Sequence, residues 1–236
     1  MNFDKKRIFG MIHLAPPNAI EKALEEIKIY EEEGVYGVII ENYHGSTNDV
    51  IYTLKSLPET SLKIGINILP NQVEEAFKIA AEYNVDFIQF DYLGGKYKPN
   101  TELEEFTYWK YRDLYPDIFV MGGVWPKYYH PVEGSVLEKD IEDTLIIGCE
   151  AIVVTGSGTG METPLDKIKK FELELMTKDV WLIVGAGITE DSVEEQLKHA
   201  DGAIVGSAFK PHGNTSRKVE RELVRKIMDK VNGMEV

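Results

Sequence analysis

Short apolar, β-branched runs alternate with longer amphipathic runs from one end of the chain to the other. The short runs predict eight strands, at Arg7–His13, Tyr36–Glu41, Lys63–Ile68, Asp86–Asp91, Ile118–Gly122, Ala151–Thr155, Val180–Gly185 and Gly202–Gly206. Several, such as Gly37-Val38-Ile39-Ile40 and Ile152-Val153-Val154, are apolar almost throughout, as a parallel strand covered on both faces should be. The longer runs carry a helical stripe. In Val73–Ala81, the residues Val73, Ala76, Phe77, Ala80 and Ala81 fall on one side. Thr189 ahead of Glu190 and Asp191 predicts a helix start, a capping hydroxyl followed by acids at the positive end of the dipole. Asn214–Val231 reads as a closing helix. Eight strand-plus-helix units at roughly 30-residue spacing predict an α/β fold, a single parallel (β/α)8 TIM barrel over residues 1–236. A doubly wound open sheet would call for a glycine-rich first turn, and Gly10-Met11-Ile12-His13 is no dinucleotide fingerprint. Tyr92–Pro99 and Gly156–Gly160 read as the long mobile loops.

The 236 residues suit this fold, which needs roughly 200–250. A hydrophobic fraction of 43% supplies its core and argues against disorder. The formal net charge of -14 repels nucleic acid and anionic lipid, so neither is an expected partner. A small phosphate ligand stays open, because backbone N–H groups and one lysine can dominate a water-excluded pocket. The only cysteine, Cys149, excludes an internal disulfide and fits a reducing cytoplasm. Its apolar setting, Leu145–Cys149, predicts an inert buried thiol. No apolar stretch approaches the roughly 20 residues of a membrane-spanning helix. Met1–Lys6 leads into no long apolar region, so no signal peptide is expected. The expectation is a cytoplasmic protein, and self-association into a homo-oligomer is compatible with it.

In such a barrel the site lies at the carboxyl ends of the strands. The strongest local signal is a pair of glycine-rich turns after the seventh and eighth strands, Gly185-Ala186-Gly187 and Gly206-Ser207. Glycine lets backbone approach an anion closely, and exposed N–H groups supply positive potential, although glycine also ends strands in plain tight turns. Lys210 follows as a candidate point charge for the phosphate. His13, ending the first strand, is a candidate acid or base near neutral pH. Glu41 and Asn42 end the second strand, and only one of the two can face the axis. An acid closing an apolar strand is hard to explain as packing, so Glu41 is favoured. Asn67 ends the third strand and Asp91 the fourth, where a carboxylate would face Glu41 and His13 across a narrow mouth. No His/Asp spacing demands a metal, and none is assigned. Lys127, after Trp125-Pro126, is a candidate for anion binding or a Schiff base. The sixth strand opens into Thr155-Gly156-Ser157-Gly158-Thr159-Gly160, a candidate lid that brings Thr155 and Gly156 toward a ligand. His44, His130, His199 and His212 lack a convincing partner.

The chain resembles the BtpA family of barrel proteins, grouped with the ribulose-phosphate-binding barrels. The resemblance rests on Gly10-Met11-Ile12-His13-Leu14 with the prolines after it, and on Gly37-Val38-Ile39-Ile40-Glu41-Asn42. It continues through Gly65-Ile66-Asn67-Ile68-Leu69 with Asn71, and Val154-Thr155-Gly156 with Thr159-Gly160. It closes on Ala200–Ser207 with Lys210 and Gly213. It implies a barrel with a phosphate-binding end. It also implies a link to a family member needed to accumulate photosystem I, while other members sit among sugar-metabolism proteins. The sequence departs from the family at strand four, with Gln89 and Asp91 in place of the usual arginine and asparagine. It departs again at strand five, with Gly123, Lys127 and Tyr128 in place of an aspartate and a lysine-histidine pair.

Two functions therefore stand as expectations. One is a cofactor-free enzyme acting on a small phosphorylated sugar or nucleotide-like metabolite, of isomerase or lyase type. A phosphoribosylanthranilate-isomerase-like reaction is one example, by fold analogy. The other is a non-enzymatic assembly or regulatory protein using the barrel as a ligand-sensing body. Convergence of His13, Glu41 and Asp91 favours the first; a mouth plugged by Trp125 or Tyr128 favours the second.

Overall fold

A strand with helices outside and other strands' side chains inside must be apolar on both faces, and the eight apolar runs form such strands. In the computed structural model, which describes residues 6–98 and 105–234, they are β1 (Arg7–His13), β2 (Gly37–Glu41), β3 (Lys63–Asn67), β4 (Phe87–Phe90), β5 (Phe119–Gly123), β6 (Ala151–Val154), β7 (Trp181–Val184) and β8 (Gly202–Val205). All pair in parallel and close into a barrel in the order β1-β8-β7-β6-β5-β4-β3-β2. Around it lie α1 (Ala19–Glu32), α2 (Thr47–Lys55), α3 (Val73–Glu82), α4 (Glu105–Leu114), α5 (Leu137–Ile146), α6 (Leu165–Leu175), α7 (Val193–Leu197) and α8 (Arg221–Asn232). The sheet divides the core in two. Phe9, Met11, Ile39, Phe87, Met121, Val153 and Ile183 fill the barrel, and a larger set from the outer strand faces packs beneath the helices. Among the described residues no helix is long and apolar enough to cross a membrane.

Three segments differ from expectation. Thr189 does not start the helix: its hydroxyl accepts from Ser192 N–H at 3.2 Å in a turn, and α7 follows only at Val193. The closing helix begins at Arg221 rather than Asn214, because the backbone before it is spent on a buried charge described below. Tyr92–Lys98 is pinned rather than loose. Tyr97 is buried, donates to the Gly94 carbonyl, and pairs with Pro131 in a two-residue antiparallel ladder. Pro99, the end of that expected loop, lies outside the described residues, as does the Met1–Lys5 start.

Candidate active site

Alternation along each strand decides what reaches the mouth. Counting in twos from the interior residues brings up His13, Glu41, Asn67, Asp91, Gly123, Thr155, Gly185 and Gly206. The layer is divided. β1–β4 present an imidazole, two carboxyls and an amide; β5–β8 present three glycines and a threonine. One half carries acid–base groups and the other leaves room beside bare backbone.

Register holds the chemical half together, since His13 pairs with Glu41 and Glu41 with Asn67. His13 Nε2 lies 3.9 Å from Glu41 Oε2. Asn67 is fully buried and donates from Nδ2 to Glu41 Oε1 at 3.0 Å and to Asp91 Oδ1 at 3.3 Å. Tyr129 adds a hydroxyl donor to Asp91 Oδ2 at 3.4 Å. The backbone at Asp91 is held in turn by Asn71, whose Oδ1 accepts the Asp91 N–H at 2.7 Å. A side chain at Gly123 would set its Cβ 2.0 Å from the Asp91 carbonyl oxygen. The strand-five acid implied by the family resemblance therefore has no room, and Asp91 is the carboxylate of that quarter.

Burial dominates the titration of this set. It pushes Glu41 up to about 7, helped by the Asp91 charge and opposed by Lys127 and the Asn67 hydrogen bond. It raises Asp91 as well, against the pull of Asn67, Lys127 and Tyr129. It holds His13 well below the usual imidazole value, reinforced by the charges of Lys210, Lys127 and His44. Near pH 7 the imidazole is thus neutral, and its approach to Glu41 is a contact of polar groups rather than an ion pair.

The glycine half faces this set across a narrow cavity of about 30 Å³. His13, Glu41 and Lys127 line one side, with Gly185–Ile188, Gly206 and Ser207 on the other, and Thr159 and Gly160 join from the loop after β6. Gly206 makes the two sides meet: a Cβ there would stand 2.7 Å from His13 Cε1. Gly187 is in the left-handed region at φ 71°, and its Cβ would fall 2.2 Å from Glu162 Cα. Gly187→Ala is expected to cost roughly 2–3 kcal/mol, from strain plus collision with backbone that cannot turn aside. Chemical denaturation checks this.

Other expected site residues sit elsewhere. Lys210 does not reach the glycine turns after β7 and β8. It is buried and gives its Nζ to Glu26 Oε1 on α1 at 3.2 Å and to the Thr215 carbonyl at 3.3 Å. The cation of the cavity is Lys127. Asn42 is committed to the loop after β3, donating to the Leu69 carbonyl and accepting the Leu69 N–H at 2.8 Å. Thr155 holds Lys127 from behind, its Oγ1 accepting the Lys127 N–H at 2.6 Å. Gly156 packs against the Met161 and Glu162 carbonyls. His199 pairs with Glu172 at 2.8 Å and His44 contacts Thr215 at 2.9 Å, partners that sequence reasoning did not supply. Trp125 commits its indole N–H to Asp140 on α5, and Tyr128 is 56% exposed, with its hydroxyl on Thr159. Neither side chain lines the cavity. Cys149 is a buried thiol pushed up to about 12 by burial.

Lys167 was not anticipated. From the first turn of α6 its Nζ donates at 2.8 Å to the carbonyls of both Trp125 and Thr155. Burial lowers it to about 8, with no carboxylate to oppose the shift. A cation at a helix start runs against the dipole, so its position is owed to those carbonyls. They fix the turn at Trp125, left-handed at φ 48°, from which Lys127 enters the mouth. Lys167→Met should cost roughly 2–4 kcal/mol through two lost charge-assisted hydrogen bonds, read from urea unfolding.

The family model described as the BtpA family matches residues 4–233. The uncharacterized protein TK2179 of Thermococcus kodakarensis is 31% identical, over 97% of this chain and 96% of its own length. The photosystem I biogenesis protein BtpA of Synechocystis is 27% identical, over 90% of this chain and 83% of its own. Among solved structures, phosphoribosyl anthranilate isomerase from Thermus thermophilus superposes with a TM-score of 0.66 at 14% identity, covering 96% of this chain and 98% of that one. At that identity the likeness concerns the fold alone. Family and fold agree with the strand ends from which the mouth is built: this chain belongs to the BtpA family.

Proposed function

We propose that the protein is a cytoplasmic enzyme of isomerase or lyase type acting on a small phosphorylated metabolite. The observation that carries the reading is the divided mouth: bare backbone at the ends of β7 and β8 shares one cavity with His13 and Glu41, while Asn67 ties Glu41 to Asp91. The phosphate would accept hydrogen bonds from backbone N–H groups at Gly187, Ile188, Gly206 and Ser207, with Lys127 supplying charge. Glu41, close to half-protonated at neutral pH, is suited to both giving and taking a proton.

In an isomerisation a base takes the proton from the carbon beside a carbonyl while an acid protonates the carbonyl oxygen. The enediol so formed receives a proton at the neighbouring carbon while the hydroxyl on the first carbon gives up its own, which forms the new carbonyl. In an aldol cleavage the base takes a hydroxyl proton, the carbon–carbon bond breaks, and the acid protonates the enediolate. Both use one acid–base set and no cofactor. The name of the Synechocystis relative favours a second reading, an assembly or regulatory body that binds ligand without turning it over. Thermal shift tests the part common to both. Inorganic phosphate and ribose 5-phosphate at millimolar concentration should raise the melting temperature by mass action. Lys127→Met should weaken phosphate binding roughly tenfold or more, the worth of one charge-assisted contact. No stabilisation of the wild type by either ligand would overturn the proposal.

A further inference from the structure

The chemical half of the mouth is almost all acceptor. Glu41 and Asp91 are carboxyls, and the single amide donor between them, Asn67 Nδ2, is already spent on both. Two further buried acceptors, Asn67 Oδ1 and Gln89 Oε1, have no hydrogen-bond partner, and neither has His13 Nδ1. Gln89 shares the inward parity of Phe87 and Asp91, so it lies one layer beneath Asp91 on the same strand. Orphaned buried acceptors are costly, and a ligand that brings donors relieves them. Lys127, the one cation among the described residues that line the cavity, acts on Glu41 and Asp91 together, so it does not leave the pole positive. The span is short as well, because the His13 ring lies against Gly206 in the phosphate turn.

From this acceptor-rich pole, close against the phosphate turns, we propose that the site takes a short-chain phosphomonoester whose far end is uncharged and carries hydroxyl groups. Esters whose far end is a carboxylate or a second phosphate are turned away. A hydroxyl donates to Glu41 at the cavity wall; a carboxylate has no proton to give and brings its negative charge up to the Glu41 carboxyl, with Asp91 behind it. Sites built to pair a substrate hydroxyl reject analogues lacking it strongly, because their own polar groups are then left unpaired.

The inference rests on the phosphate reading above, and the test separates the two. Isothermal titration compares inorganic phosphate, glycerol 3-phosphate and 3-phosphoglycerate, the last two of similar length and differing at the far end. Glycerol 3-phosphate should bind more tightly than inorganic phosphate, and at least about tenfold more tightly than 3-phosphoglycerate. Asp91→Asn, isosteric and one charge poorer, should narrow the gap between the two esters. Equal or tighter binding of 3-phosphoglycerate, or glycerol 3-phosphate no better than phosphate, overturns this inference and leaves the phosphate reading standing. Failure of all three to bind overturns the phosphate reading, and this inference with it.

Discussion

Lys210→Met is expected to lose roughly 3–5 kcal/mol of stability while leaving phosphate affinity nearly as it was. The ammonium is 2% exposed and its partner Glu26 3%. Burial raises Glu26 and lowers Lys210 despite their attraction, so desolvation outweighs the Coulombic gain for both. Removing one member strands the other as a buried charge, which is the expensive change. The loss extends to the segment before α8, because Val219 N–H also donates to Glu26 Oε1 at 3.1 Å. A double variant, Glu26→Gln with Lys210→Met, should recover most of the stability, since no bare charge remains. Urea denaturation of the two single variants and the double reads this directly. Phosphate titration of the Lys210 variant reads whether that lysine belongs to the ligand site.

Glu41→Gln is expected to raise stability at pH 8 and abolish most of the activity. The native carboxyl holds its proton up to about 7, whereas the unfolded chain releases it near 4.5. Between those values the folded state binds more protons, so stability falls as pH rises through this window. The full displacement is worth roughly 3 kcal/mol for this group alone. Glutamine keeps an acceptor for Asn67 and carries no proton to lose. The variant should therefore match the wild type near pH 4 and exceed it by a few degrees in melting temperature at pH 8. Turnover of an identified substrate should fall roughly 10²–10⁴-fold, the usual worth of a positioned acid or base. Full turnover in the variant would remove Glu41 from the mechanism.

Which of these groups could be read without a structure follows from physical cause. The barrel strands were legible because burial on both faces demands apolar, β-branched runs; Lys63–Ile68, for example, forms β3 at Lys63–Asn67. His13, Glu41 and Asp91 were legible because strand ends in this fold face the mouth, and an acid closing an apolar strand marked Glu41 rather than Asn42. Lys210 was not, because its direction depends on an acid 184 residues earlier whose burial on α1 shows in no local pattern. The same long-range pair displaced the start of α8. Lys167 was equally hidden: its partners are carbonyls, and a carbonyl leaves no mark in a sequence. The pinning of Tyr92–Lys98 depends on a ladder with His130–Pro131, two residues too short to give a strand signal.

On the proposed reading, the backbone ending β7 and β8 binds a phosphate facing His13 and Glu41. Amide NMR during titration with inorganic phosphate tests it most directly. The N–H resonances of Gly187, Ile188, Gly206 and Ser207 should move together with one saturating dissociation constant, and the His13 ring should move with them. If those amides stay still at millimolar phosphate, or if the shifts gather elsewhere on the molecule, the phosphate does not bind at the ends of β7 and β8.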